Sequence, residues 1–329
     1  MVNKALVFKK VPQGYPVAGQ DLVIEEISYD SSVATPKNGV VLESLYASFD
    51  PYMRGRMRNP EIKSYAPPFT LNKPVVNDVI GKALKSDNAG FKEGDLVIGQ
   101  LPLQQFVALD DKAVAGIKKL ENPLGLEDIR VFLGPLGMPG LTAYSSLYEI
   151  GKPKKGETIF VSAASGAVGQ IVGQLAKHEG LRVIGSVGSD EKLDFILKDL
   201  GFDAGFNYKK EKPADALKRL APRASTSTTR TQWGRVVLCG LISEYNSAPY
   251  PITNISNVLT KRLTVRGFIV FDPDMGPLHV KAHQENVAKW IKDGSFKVRL
   301  HQTDGIDNAA DGLIGIFTGK NFGKAVLKF

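Results

Sequence analysis

Apolar residues fall into short runs along the whole chain, but what separates the runs changes near Gly134. Before that point, residues 5–8, 22–24, 39–45, 79–84 and 95–99 read as strands divided by Pro and Gly, with Phe91-Lys92-Glu93-Gly94 as the last turn. So many strands without long helices predict a compact β-rich domain. After Gly134, apolar runs at 158–163, 182–187, 204–208, 234–240 and 263–270 alternate with helical patterns, notably 170–178, 191–200 and 213–220. That alternation predicts a doubly wound parallel sheet. The last helix is expected over 278–292, followed by a closing strand over 323–329. The fold class expected is therefore α/β in two domains, residues 1–125 with 300–329 and residues 126–299. A chain of 329 residues is long enough for a core in each.

The run at 158–163 leads into Ala164-Ser165-Gly166-Ala167-Val168-Gly169, and the next helix carries Ile171, Val172 and Leu175 on one side. Small residues at such a turn let backbone approach a pyrophosphate, and the helix start offers free N–H groups to the anion. Ala164 stands where the usual fingerprint has its first glycine, so a plain strand–helix turn remains the alternative for the motif alone. Dinucleotide folds that take NAD place an acid about 20 positions into the motif, at the end of the second strand. Here Ile184-Gly185-Ser186-Val187-Gly188-Ser189 has no acid. Nothing there repels a 2′-phosphate and Lys192 can attract one, so NADP(H) is favoured over NAD(H). The plainer reading of Lys192 is an exposed lysine at a helix start.

Composition removes several classes of function. Lys and Arg outnumber Asp and Glu by 42 to 34, but the basic residues are dispersed, which argues against a nucleic-acid partner. No apolar run approaches the ~20 residues that cross a bilayer, and the first residues lack a signal-peptide pattern. The one cysteine, Cys239, ends the apolar run Val236-Val237-Leu238 and is expected as a buried structural thiol in a cytoplasmic protein. With histidines only at His178, His279, His283 and His301, the β-rich part has neither Cys nor His, so no zinc site is expected. His279 and His283 are spaced i,i+4, and an exposed helix face explains them better than a metal.

Several strings together carry a family resemblance. Asp50-Pro51-Tyr52-Met53-Arg54-Gly55-Arg56-Met57, residues 91–99, Gly137-Met138-Pro139-Gly140-Leu141-Thr142-Ala143-Tyr144, the 163–169 turn, Leu241-Ile242-Ser243-Glu244-Tyr245-Asn246 and Asn321-Phe322-Gly323-Lys324 follow in order. The chain resembles, over nearly its whole length, the zinc-independent medium-chain reductases, including prostaglandin reductase, leukotriene hydroxydehydrogenase and the 2-alkenal double-bond reductases. The resemblance implies a GroES-like domain and a Rossmann-type domain. It implies that Gly166, Ala167, Val168 and Gly169 bind the pyrophosphate of NADP(H), with Lys192 and Tyr208 at the 2′-phosphate. It also implies that Met138, Thr142, Cys239, Gly240 and Ile242 lie around the nicotinamide, and that Phe268, Ile269, Val270 and Asn321 close the site. The implied reaction is metal-free, NADPH-dependent reduction of the C=C bond of an α,β-unsaturated aldehyde or ketone. Tyr52 and Tyr245 are the expected catalytic residues, as hydrogen-bond donors or substrate-orienting groups. A homodimer is expected by the same analogy, and a quinone or alcohol oxidoreductase of the same fold is the alternative.

The chain departs from this family after Tyr208. The family continues with a helix, a buried strand ending in Asn-Val-Gly-Gly, and a further helix before the strand seen here at 234–240. This chain lacks Asn-Val-Gly-Gly. After the helix at 213–220, only residues 221–233 remain, where a strand, a helix and loops need roughly 20 or more. Arg223-Ala224-Ser225-Thr226-Ser227-Thr228-Thr229-Arg230-Thr231 also lacks the large apolar side chains of a central parallel strand. With suitable codons, that stretch read one nucleotide out of register gives Gly-Ile-Asp-Ile-Tyr-Tyr-Glu-Asn, a strand of the family's kind. A displaced splice boundary or frameshift is one origin. The sheet is therefore expected to lack or distort one central strand, and a degenerate member with weak cofactor binding is a further alternative.

Overall fold

The computed structural model describes residues 2–27, 35–221 and 232–329. Two compact units emerge: Met1–Gly125 with Ile242–Ser247 and Leu300–Phe329, and Leu126–Leu241 with Ala248–Arg299. The first opens with β1 (Asn3–Phe8), β2 (Leu22–Ile27) and β3 (Val40–Ser48), then a one-turn helix, α1 (Met53–Arg56). It continues with β4 (Lys73–Pro74), β5 (Val76–Ser86), β6 (Leu96–Pro102), β7 (Phe106–Leu109) and β8 (Ile117–Lys119). The second unit begins with α2 (Met138–Ser146), β9 (Thr158–Val161), α3 (Gly169–His178) and β10 (Arg182–Val187). After these come α4 (Asp190–Asp194), β11 (Ala204–Asn207), α5 (Pro213–Leu220) and β12 (Arg235–Leu238). It ends with α6 (Ser256–Thr260), β13 (Thr264–Gly267) and α7 (Gly276–Lys292). The chain then returns to the first unit as β14 (Leu300–Asp304), α8 (Ala309–Phe317) and β15 (Lys324–Lys328). The last helix is thus α8, beyond the helix at 278–292 that the sequence predicts to be last. Its Ala-Ala-Asp-Gly-Leu-Ile-Gly-Ile-Phe run is mostly buried and shows little polar face to reveal a helical period.

In the first unit a sheet runs β14-β15-β3-β5-β6-β8, with β7 also paired to β3, and a second runs β2-β1-β4. Their inward faces meet in one core that includes Leu6, Phe8, Leu42, Val79, Val97 and Leu103, each at most 1% exposed. Each such side chain contributes roughly 1.5–3 kcal/mol of burial. This GroES-like unit is closed by β15, whose Ala325, Val326 and Leu327 are at most 3% exposed.

The second unit is of Rossmann type, and its parallel strands lie in two groups. β9 and β11 flank β10, while β12 pairs with β13; among the described residues no pairing joins β9 to β12. α3 packs Ile171, Leu175 and Ala176 inward, and Gly173 lets the Phe202 ring sit directly on the helix backbone. The Thr-rich stretch 223–231, where the sequence lacks a central strand, lies outside the described residues. Among the described residues no helix is long and apolar enough to cross a membrane.

Candidate active site

In the second unit, β9 turns through Ala163, held at φ 46°, into α3. A Cβ on Gly169 would run into Ala163 O, and one on Gly166 would lie 3.1 Å from the same oxygen. The turn is therefore as tight as side-chain-free backbone allows. It is pinned by Ala164 N–H donating to Ser186 O at 3.0 Å, which ties it to β10. Gly166, Ala167 and Val168 remain half-buried before α3, with Gly166 N–H on Ala163 O at 2.8 Å, Gln170 N–H on Gly166 O at 3.1 Å and Ile171 N–H on Val168 O at 3.0 Å. A helix start after such a turn is the kind of place where backbone N–H groups meet an anion.

At the end of β10, Ser189 caps α4 by accepting from Lys192 N–H at 3.3 Å. A Cβ on Gly188 would lie 2.6 Å from the Tyr208 hydroxyl, so the missing side chain makes room for that phenol. Lys192 is half-buried, not the exposed helix-start lysine of the plainer reading; burial, then the nearby Lys209 charge, lower its pKa. Lys192 thus feels both the Lys209 ammonium and the Glu191 carboxylate. Lys209 is missed by the sequence argument, though it directly follows Tyr208. Asp190, the acid after β10, is occupied by Asn207 Nδ2 at 2.9 Å and by the Lys210 ammonium.

Met138 starts α2 half-buried, and its carbonyl accepts from Thr142 Oγ1 at 2.8 Å. Val270 is buried and its carbonyl accepts from Gly276 N–H at 2.8 Å, while Phe268 and Ile269 are half-buried. Cys239 is exposed rather than buried, because the end of β12 is open; its sulfur lies 3.9 Å from Ser146 Oγ. Gly240 and Ile242 are exposed as well. His279 and His283 also depart from the exposed face expected of them. His283 is fully buried, with Nε2–H donating to Pro135 O at 2.7 Å, and His279 contacts Glu149 at 2.7 Å and stacks on Tyr148. α7 packs that face on α2, which i,i+4 spacing does not reveal. Among the described residues no three His, Cys, Asp or Glu side chains gather as metal ligands.

The first unit holds Tyr52, Tyr245 and Asn321. A buried network fixes Tyr52. Lys324 Nζ, 1% exposed, donates to Asp50 Oδ1 at 2.6 Å and to Phe49 O at 2.7 Å; Ser48 Oγ donates to Asp50 Oδ2. Asn77 Nδ2 donates to Ser48 O and Asp50 Oδ2, which leaves Oδ1 to accept from the Tyr52 hydroxyl at 2.6 Å. The hydroxyl proton of Tyr52 is thus committed to Asn77, and burial, then Asp50, push its pKa up. Asn321 Nδ2 donates to Gly323 O at 2.8 Å, shaping the turn before β15. Tyr245 lies in the segment Ile242–Ser247, near enough to Tyr65 to raise the latter's pKa beyond what burial does. Tyr65 stands in no motif quoted from the sequence.

Comparison with known proteins places the chain. The family described as the N-terminal domain of oxidoreductase matches residues 4–117, and the one described as zinc-binding dehydrogenase matches residues 167–228. The NADP-dependent oxidoreductase RED1 of Cochliobolus heterostrophus is 49% identical over 343 positions, covering 99% of this chain and 97% of that protein. As this chain has 329 residues, at least 14 of those 343 positions, the difference, have no residue here. The 2-alkenal reductase (NADP(+)-dependent) of Nicotiana tabacum is 37% identical, covering 99% and 97%. The crystal structure of CurA from Vibrio vulnificus in complex with NADPH superposes with a TM-score of 0.85 at 32% identity, covering 99% and 98%. The chain belongs to the zinc-independent medium-chain dehydrogenase/reductase family of oxidoreductases.

Proposed function

We propose that the protein reduces the C=C bond of α,β-unsaturated aldehydes or ketones with NADPH. The observation that carries the cofactor reading is the glycine cradle at Gly166–Gly169 together with Lys192, Lys209 and Tyr208 beyond β10 and β11. These residues fit a phosphate-bearing dinucleotide: the turn admits a pyrophosphate, and the two lysines and the phenol suit a 2′-phosphate. When bound, NADPH supplies the hydride for the β-carbon of the substrate. Met138, Thr142, Cys239, Gly240, Ile242, Phe268, Ile269, Val270 and Asn321 are assigned to the nicotinamide end. Tyr245 is assigned as the hydrogen-bond donor to the carbonyl oxygen, on which negative charge grows as the β-carbon is reduced. The α-carbon then takes a proton from solvent, giving the saturated carbonyl compound. Tyr52, its proton held by Asn77, is assigned to orient substrate through its ring and oxygen rather than to donate.

The relative named as a 2-alkenal reductase supports the substrate class. The row of exposed apolar side chains Tyr250, Ile252, Ile255, Leu259 and Phe271 supports a homodimer. The single cysteine supports a cytoplasmic setting. A second reading, a member that binds NADPH weakly, is favoured by the absence, among the described residues, of any pairing between β9 and β12. Recombinant protein mixed with NADPH and separate 2-alkenal, enone, quinone and alcohol substrates tests both. NADPH consumption with the 2-alkenal and a saturated aldehyde as product is expected. Turnover with quinone alone would overturn the enal assignment, and no turnover with measurably weak NADPH binding would establish the second reading.

A further inference from the structure

The segment Ile242–Ser247 belongs to the first unit although the chain on either side of it belongs to the second. Little regular structure holds it: one short 3-10 turn, Ile242–Glu244, and a Ser247 Oγ–H bond to Ser243 O at 2.8 Å. One attachment to the rest of the unit runs through Asn246. Arg54 Nε donates to Asn246 Oδ1 at 2.7 Å, while Arg54 Nη2 donates to Gly14 O at 2.7 Å and to Pro12 O at 3.5 Å. Arg54 sits on α1, within the motif that carries Tyr52. The guanidinium is thus a clasp between three pieces of chain: α1, the 12–14 turn and the segment bearing Tyr245.

A second observation shows that the clasp, and nothing else at hand, sets the Asn246 amide. Asn246 Nδ2 is buried and has no hydrogen-bond partner among the described residues. Turning the amide over would bring its N–H groups against the N–H groups of Arg54, donor against donor. The side chain therefore keeps its oxygen on Arg54 and leaves its nitrogen stranded, an arrangement that costs free energy and persists only because the Arg54 bond outweighs it.

We propose that Arg54 is the positioning residue for Tyr245, holding the Tyr245 segment in place through Asn246. The proposal rests on the assignment of Tyr245 to the substrate carbonyl. No atom of Arg54 touches substrate in this scheme; its fork supplies geometry, three acceptors met from one rigid plane, which a lysine cannot reproduce.

The test uses the full chain with 2-hexenal and NADPH, and compares R54A, N246A, N246D and the R54A/N246A double variant. N246A keeps both carbonyl bonds of Arg54, so it loosens the segment without disturbing the 12–14 turn. R54A and N246A are each expected to lower kcat/KM for 2-hexenal about tenfold, with the Kd for NADPH changed less than about twofold. The double variant is expected to be no worse than R54A, because both single changes break one clasp. N246D is expected to match the wild type, since a carboxylate accepts the same N–H and removes the stranded donor. Amide hydrogen exchange of residues 242–247 is expected to quicken in R54A and N246A and to return to the wild-type rate in N246D. Unchanged exchange in N246A, or a double variant that multiplies the two single losses, would overturn the clasp. Should the wild type reduce no enal at all, the exchange rates still decide the clasp while the substrate assignment alone falls.

Discussion

β10 and β12 begin alike, Arg182-Val183-Ile184 in one and Arg235-Val236-Val237 in the other, and both are parallel strands of the same unit. Their surroundings are opposite. In β10, Val183, Ile184 and Val187 are at most 1% exposed, whereas β12 has no buried residue and leaves Leu238 40% exposed. β13 leaves Val265 44% exposed. The difference lies in neighbours: β10 has a strand on each side and α3 against it, while β12 has β13 on one side only among the described residues. A parallel strand written for burial on both faces gets that burial only if its neighbours are present. β9 shows the same effect on the facing edge, with Phe160 37% exposed. What crosses from one group to the other is a long side-chain pair, Arg235 Nη2 donating to Glu157 Oε2 at 2.5 Å.

The largest effect that bears on this contrast is a matched pair of truncations. Ile184→Ala empties a site with no exposure and is expected to destabilise the chain by about 3 kcal/mol. Val237→Ala removes a half-buried side chain and is expected to cost less than about 1 kcal/mol. Urea unfolding followed by circular dichroism reads both. Equal losses would mean that β12 is covered in solution as β10 is, and the contrast would be gone.

A comparable effect comes from acid. His283 is buried where α7 meets α2, as the neutral imidazole whose Nε2–H bonds Pro135 O while Nδ1 accepts from Gln284 at 3.2 Å. Burial pulls its pKa down from 6.5 to about 4. Between those values the unfolded chain binds the proton and the folded chain does not. Its contribution to stability is therefore complete above pH 6.5 and is lost as pH falls toward 4, by up to about 3 kcal/mol. Unfolding midpoints at pH 7 and pH 4.5 should separate widely in the wild type and much less in H283N. An equal separation in both would show that His283 is not where acid acts.

What could be read from the chain follows the same division between local and distant causes. The strand at 182–187 and the helix at 213–220 are legible to the residue, since β-branched runs and a Pro start signal them locally. α2 is not, because eight of its nine residues are buried, small and hydroxyl side chains included, so that no polar face gives it a period. β14 hides for the reverse reason: Leu-His-Gln-Thr-Asp is a polar edge strand that exists through its pairing with β15. The tight turn at Gly166–Gly169 and the helix start that carries Lys192 are legible because turn chemistry is local. The commitment of Tyr52 to Asn77 is not, being made across 25 residues through a network that ends on Lys324. Burial of His283 depends on a carbonyl 148 residues away.

The smallest effect is also the sharpest on function. Lys192, Lys209 and Tyr208 stand beyond β10 and β11, on the closed side, whereas Cys239 and Gly240 end the open strand β12. If these are the two ends of one cofactor site, the adenosine 2′-phosphate end is built on firm strands and the nicotinamide end on exposed ones. Adenosine 2′,5′-bisphosphate, which carries only the first end, is then expected to bind nearly as tightly as NADPH, within about tenfold, or about 1.4 kcal/mol. K192A should weaken both ligands by a similar factor, about tenfold, because each loses the same charge-assisted contact. It should leave NADH binding almost unchanged, as NADH has no 2′-phosphate to lose. Isothermal titration of the three ligands against the wild type and K192A gives all six constants. NADPH binding a thousandfold more tightly than the bisphosphate would show that the β12 end holds its share of the cofactor firmly, and that the open flank closes when ligand arrives.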